Sequence, residues 1–122
     1  MLRDITDNLP RVVADHVAAY NEHDPEALIR TLAPDALLND ARREFLGHDA
    51  IRAWADKEIF GAKVTIAVER AYDQYGDIIL RARIDGNFDK TNLPDPVILT
   101  YYVSIREGLI TQLVIVLNKD IV

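Results

Sequence analysis

Near Lys63 the hydrophobic period of this chain changes from between three and four residues to two. That change admits few architectures, because helices occupy the first half and strands the second, an α+β order. Before it, Leu9, Val12, Val13, His16, Val17 and Tyr20 share one helical face, with Arg11, Asp15, Asn21 and Glu22 mostly on the other. Asp7 or Asn8 is placed to cap this helix, and Pro10 is tolerated in its first turn. Asp24 caps a short second helix that has Pro25 at its first position, carries Leu28, Ile29 and Leu32, and stops before Pro34. The run from Ala36 to Asp40 reads as a short strand, and Ala41-Arg42-Arg43-Glu44 as a basic loop. Asp49 then caps a third helix with Ile51, Trp54, Ala55, Glu58 and Ile59 on one stripe, ended by Gly61.

After the change, Val64, Ile66 and Val68 alternate in a first long strand, with a turn from Asp73 to Asp77. Ile78, Leu80, Ala82 and Ile84 share one face of the next strand, with Ile79, Arg81, Arg83 and Asp85 opposite. A loop spans Asn87 to Pro96, and alternation resumes from Val97 to Ile105. Glu107-Gly108 is a tight connection into a last strand, Leu109 to Asn118, whose stretch Leu113 to Leu117 is apolar on both faces and predicts cover on both. The expected fold is three N-terminal helices packed on a strongly curved, mainly antiparallel sheet. It forms a cone with an internal pocket, one domain over residues 1–122.

Composition narrows the partners. Twenty acidic against fourteen basic side chains give a net charge of −6, which supplies no basic face for nucleic acid. The absence of cysteine removes thiol nucleophiles and thiolate metal sites, and no two histidines stand at i,i+4 on a helix, so no metal and no cofactor are expected. The acidic start and the lack of a long apolar run predict a cytoplasmic chain with no membrane partner.

Several pieces in order carry a resemblance: Val17-Ala18-Ala19-Tyr20-Asn21-Glu22-His23-Asp24, then Leu32-Ala33-Pro34-Asp35-Ala36, then Gly47-His48-Asp49-Ala50-Ile51-Arg52-Ala53-Trp54, and the long strands meeting at Glu107-Gly108. With them the chain resembles the nuclear transport factor 2-like superfamily, in particular its SnoaL-like and ketosteroid-isomerase-like bacterial members. The resemblance implies a general-base aspartate at Asp40. It puts the family's two oxyanion donors at His16 and near Tyr101, both able to donate hydrogen bonds. A second resemblance, through Gly76 to Asp85, is to the limonene-type epoxide hydrolases, which activate water between two aspartates bridged by an arginine. It implies Arg83 and Asp85 in that role, although the last strand holds no second acid.

Each residue also has a structural reading. Asp40 is suited to strand-end turn bonding as well as to proton abstraction, and His16 to a hydrogen-bonded core position as well as to pocket chemistry. Tyr20, Trp54 and Tyr101 are core aromatics or pocket walls, and Arg81 and Arg83 a solvated strand face paired with Glu69. The functional expectation is a pocket for a small apolar or polycyclic ligand, worked by a cofactor-independent isomerase or cyclase with Asp40 as base. The alternatives are an epoxide-hydrolase or dehydratase-like enzyme, or a non-catalytic small-ligand-binding dimer. A homodimer through the outer sheet face follows from Ile98, Thr100, Tyr102 and Ser104 lying beside one face of Leu113 to Leu117.

Overall fold

The computed structural model describes residues 2–118. Among them, helices α1 (Arg11–Asn21), α2 (Pro25–Arg30) and α3 (Gly47–Ala55) pack against one seven-stranded sheet. The strands are β1 (Leu2–Asp4), β2 (Leu32–Asp40), β3 (Arg43–Leu46), β4 (Thr65–Gln74), β5 (Asp77–Asp85), β6 (Val97–Arg106) and β7 (Leu109–Leu117), in the order β1-β4-β5-β6-β7-β2-β3. Every pairing is antiparallel except β2 with β7. Register breaks between Val68 and Arg70 and between Ser104 and Ile105 are the irregularities that bend such a sheet around its helices. The expected α+β cone is the observed fold.

The helices form where the apolar stripes lie. α1 buries Val13, His16, Ala19 and Tyr20 and needs no side-chain cap, so neither Asp7 nor Asn8 serves as one. Asn21, expected on the polar face, instead fastens α1 to the sheet: its amide donates to Ile66 O at 3.0 Å and accepts from Ile66 N at 2.8 Å. Asp24 caps α2 by accepting from Ala27 N at 3.1 Å. That helix ends at Arg30, and Leu32 already belongs to β2, because Thr31 O is captured by Ile110 N of the neighbouring strand at 2.9 Å. α3 begins at Gly47 rather than behind Asp49. Gly47 turns the chain at φ +85°, and Asp49 sits in the first turn, at the positive end of the dipole.

Two short strands were not expected. β1 pairs only with the far end of β4, and β3 occupies what reads as the basic loop. Ala41 and Arg42 both take positive φ, 53° and 70°, which makes a two-residue hairpin turn and sets Arg43 directly opposite Asp40. α3 continues into a five-residue π-helical turn, Asp56–Phe60, closed by Gly61 N donating to Asp56 O at 2.9 Å. Along β7, Leu113 and Ile115 are buried beneath the helices, while Val116 on the other face is 45% exposed. Cover on both faces, expected from the apolar run, is therefore not provided within one chain. No helix among the described residues is long and apolar enough to cross a membrane.

Candidate active site

The sheet register brings the polar groups together. Asp40 on β2 and Tyr101 on β6 each stand opposite Ile115 of the strand between them, so the three lie in one row on one face. That face looks toward the helices. There Tyr20 of α1 and Trp54 of α3 close over a cavity of about 400 Å³, whose far side is Phe88 and Leu93 of the loop before β6. Ile84, Leu99 and Ile115 make its apolar floor. A larger hollow of about 610 Å³ lies between α1 and α2, but its charged residues, Arg11, Asp15 and Arg30, are exposed on its rim. Convergent, sheltered polar groups mark the smaller cavity as the site.

Asp40 sits at the cavity mouth with its carboxylate held on one side. Its Oδ2 accepts from Arg43 Nη2 at 2.7 Å and from Trp54 Nε1 at 3.1 Å, while Oδ1 has no protein donor among the described residues. Arg43 also forks onto Glu58 of the π-helical turn, with Nη1 and Nη2 each 2.8 Å from a carboxylate oxygen, and lies over the Phe45 ring. These bonds hold the Glu58 carboxyl below the usual range and the guanidinium above its own.

Tyr20 and Tyr101 are buried, and burial raises both phenol pKa values, with the negative charge of Asp40 adding to it. Both therefore remain protonated donors. The Tyr101 hydroxyl comes near enough to ease the shift of Tyr20, yet no aligned bond forms and the Tyr20 Oη has no partner among the described residues.

His16 does not join them. It lies a turn earlier on α1, its ring 5.5 Å from that of Tyr20, and is not part of the cavity wall. Thr31 Oγ1 donates to Leu28 O at 2.6 Å and so accepts from His16 Nδ1 at 2.8 Å, which places the ring proton on Nδ1. Burial lowers the imidazole pKa to about 4, leaving a neutral core residue whose Nε2 has no partner. On α1 it is Tyr20, not His16, that lines the cavity.

Arg83 and Asp85 are likewise elsewhere. They alternate with the buried Ala82 and Ile84 and project from the opposite side of β5, into an outer groove with Lys90. Asp85 is tied to Gly86 N at 2.8 Å and Lys90 Nζ at 3.2 Å, contacts that lower its carboxyl pKa. Arg81 pairs with Glu69 at 3.6 Å through an Nε that is itself sheltered from water. Two cavity groups escaped the sequence reading. Glu58 had a signal, an acid on an apolar helical stripe; Arg43 stood in a basic loop pair able to screen a pocket mouth for anions, a pattern common to exposed loops. Among the described residues no group of three or more His, Asp or Glu side chains is arranged to hold a metal ion.

The description of the SnoaL-like domain matches residues 13–113. No curated protein matches the chain. Among solved structures, a candidate polyketide cyclase from Sinorhizobium meliloti superposes with a TM-score of 0.81 at 29% identity, covering 91% of this chain and 98% of that one. A protein of ketosteroid isomerase-like fold from Catenulispora acidiphila, solved with trimethylamine, gives 0.76 at 21% identity over 89% and 86% of the two chains. A candidate ketosteroid isomerase from Kribbella flavida gives 0.76 at 9% identity over 97% and 83%. At these identities the last two speak for the fold alone.

Proposed function

The chain belongs to the SnoaL-like domain family of the nuclear transport factor 2-like superfamily, and from that premise we propose that it moves a proton on a small apolar, carbonyl-bearing substrate without a cofactor. One observation carries the reading: a carboxylate and two buried, protonated phenols converge in a cavity with an apolar floor. Asp40 takes the proton from the carbon beside the carbonyl, and the C–H electron pair passes to the carbonyl oxygen. Tyr20 and Tyr101 donate hydrogen bonds to that oxygen as its charge develops, in a medium where such bonds are strong. Return of the proton at another carbon completes an isomerisation; attack of the enolate carbon on a second carbonyl of the same molecule, with the Asp40 proton passing to the alkoxide so formed, completes a cyclisation. The cyclase description of the Sinorhizobium meliloti relative agrees with the second outcome. The test is deuterium uptake from D₂O into 2-tetralone, followed by NMR. Catalysed uptake that falls at least about a hundredfold in Asp40→Asn supports the reading. Equal rates for the two proteins overturn it and leave a non-catalytic binder.

The hydrolase alternative has one observation in its favour, on residues other than Arg83 and Asp85. Arg43 bridges two carboxylates, Asp40 and Glu58, at the cavity mouth. Incorporation of ¹⁸O from labelled water into a diol formed from styrene oxide would establish it; recovery of the unopened epoxide would exclude it for that substrate.

The reading includes a twofold homodimer through the outer sheet face. Tyr102 and Val116 are nearly half exposed there, beside Val114 and Ile79 in the register, an apolar strip of the kind association covers. Light scattering at micromolar concentration should give the mass of two chains, and Tyr102→Asp the mass of one, through a charge buried without compensation.

A further inference from the structure

The cavity mouth carries three charged groups, and the fork of the cation among them, Arg43, is already occupied. Both terminal nitrogens of Arg43 are bonded to Glu58, one of them also to Asp40 Oδ2, and Nε lies 3.3 Å from Asp40 O. An approaching anion meets two carboxylates and a guanidinium whose fork is occupied, within a chain of net charge −6. A neutral ketone or phenol meets the same apolar floor with no such repulsion.

We propose that Glu58 is a specificity-determining residue: by occupying the Arg43 fork it makes the cavity reject carboxylate-bearing ligands and accept neutral oxo- or hydroxy-aromatic ones. This rests on the small-ligand reading of the same cavity and adds the charge class of the ligand. The mechanism is exclusion. Bidentate pairing with an arginine is the strongest recognition a protein offers a carboxylate, and here an internal carboxylate already holds it. Glu58 stays ionised in that pair, because the Arg43 hydrogen bonds favour its charged form. Its place on the π-helical turn that follows Trp54 lets it reach across to β3.

Calorimetric titration with 2-naphthol and with 2-naphthoate tests this on the intact chain. The wild type should bind the naphthol about tenfold or more tightly than the naphthoate. Glu58→Gln, which keeps the shape and removes the charge, should raise the naphthoate-to-naphthol affinity ratio by about tenfold. The gain should vanish in Arg43→Met/Glu58→Gln, where the freed fork is gone. An unchanged ratio in folded Glu58→Gln, or an equal gain without Arg43, overturns the proposal. If the wild type binds neither compound, naphthoate binding acquired by Glu58→Gln still supports the filter, and its absence overturns it, while the missing naphthol binding counts separately against the ligand class. Should Glu58→Gln fail to fold, Glu58→Asp, whose shorter side chain loosens the fork, must raise the same ratio or the proposal falls.

Discussion

Two polar clusters flank Tyr20 on its two sides. Toward the cavity mouth lie Asp40, Arg43 and Glu58, partly open to water, against the buried Trp54; toward the core lie His16 and Thr31, sealed and neutral. The first can hold charge because each carboxylate has a cationic or N–H partner and solvent nearby. The second cannot, so its imidazole gives up its proton-binding range to stay uncharged. The contrast teaches that a position inherited from a family resemblance does not carry a role. His16 stands where the resemblance implies a donor, but its one ordered hydrogen bond points to Thr31, and the cavity is served by the next turn of α1.

Catalysis should separate the clusters most. Asp40→Asn is expected to lower turnover by about a thousandfold, roughly 4 kcal/mol, whereas His16→Gln should lower it less than about tenfold. Comparable losses in single-turnover rates would erase the distinction and return His16 to the site.

Acid stability comes next in size. The unfolded chain protonates His16 near pH 6.5, while the folded chain resists until about pH 4. The contribution is therefore whole above pH 6.5 and lost as the pH falls toward 4, about 3 kcal/mol in all. Urea unfolding at a series of pH values should show that limb, and His16→Gln should flatten it; an identical slope in the variant would show that the imidazole is not sealed.

A smaller effect is expected at the same place. Thr31→Val strands the His16 N–H and should cost about 1–3 kcal/mol in urea denaturation at pH 7, with deuterium uptake into the ketone unchanged. The smallest belongs to the mouth. Arg43 is half-exposed, so Arg43→Met should change stability by no more than about 1 kcal/mol even though it alters ligand preference. A loss near that of a core truncation would mean that the mouth cluster holds the fold together as well as the site.

Much of the fold was legible because it repeats locally. The stripes of α1 and α3 and the alternation along β4 to β6 name their own buried faces, and Asp24-Pro25 marks the start of α2. Elements that exist only through a partner were not legible. β1 is three residues long and pairs with strand end Tyr72–Gln74, and β3 depends on two residues adopting positive φ in the turn before it. For the site, Tyr20 and Trp54 on the helical stripes and Tyr101 on the inward parity of its strand line the cavity. At Arg83 and Asp85 the period-two pattern had already set them opposite Ile84; the second resemblance pointed the other way, and the pattern agrees with the structure.

The sequence by itself determined which faces of α1, α3 and β4 to β6 are apolar and where the helical period gives way to the strand period, since these are properties of residues two to four apart. Tertiary structure alone decided the rest: the parallel seating of β2 on β7 that sets Asp40 opposite Ile115, the reach of Glu58 to Arg43, and the sealing of His16 beneath α2. Those depend on register and burial between segments far apart in the chain, where the summed packing of many contacts, rather than any local pattern, fixes which side chains meet.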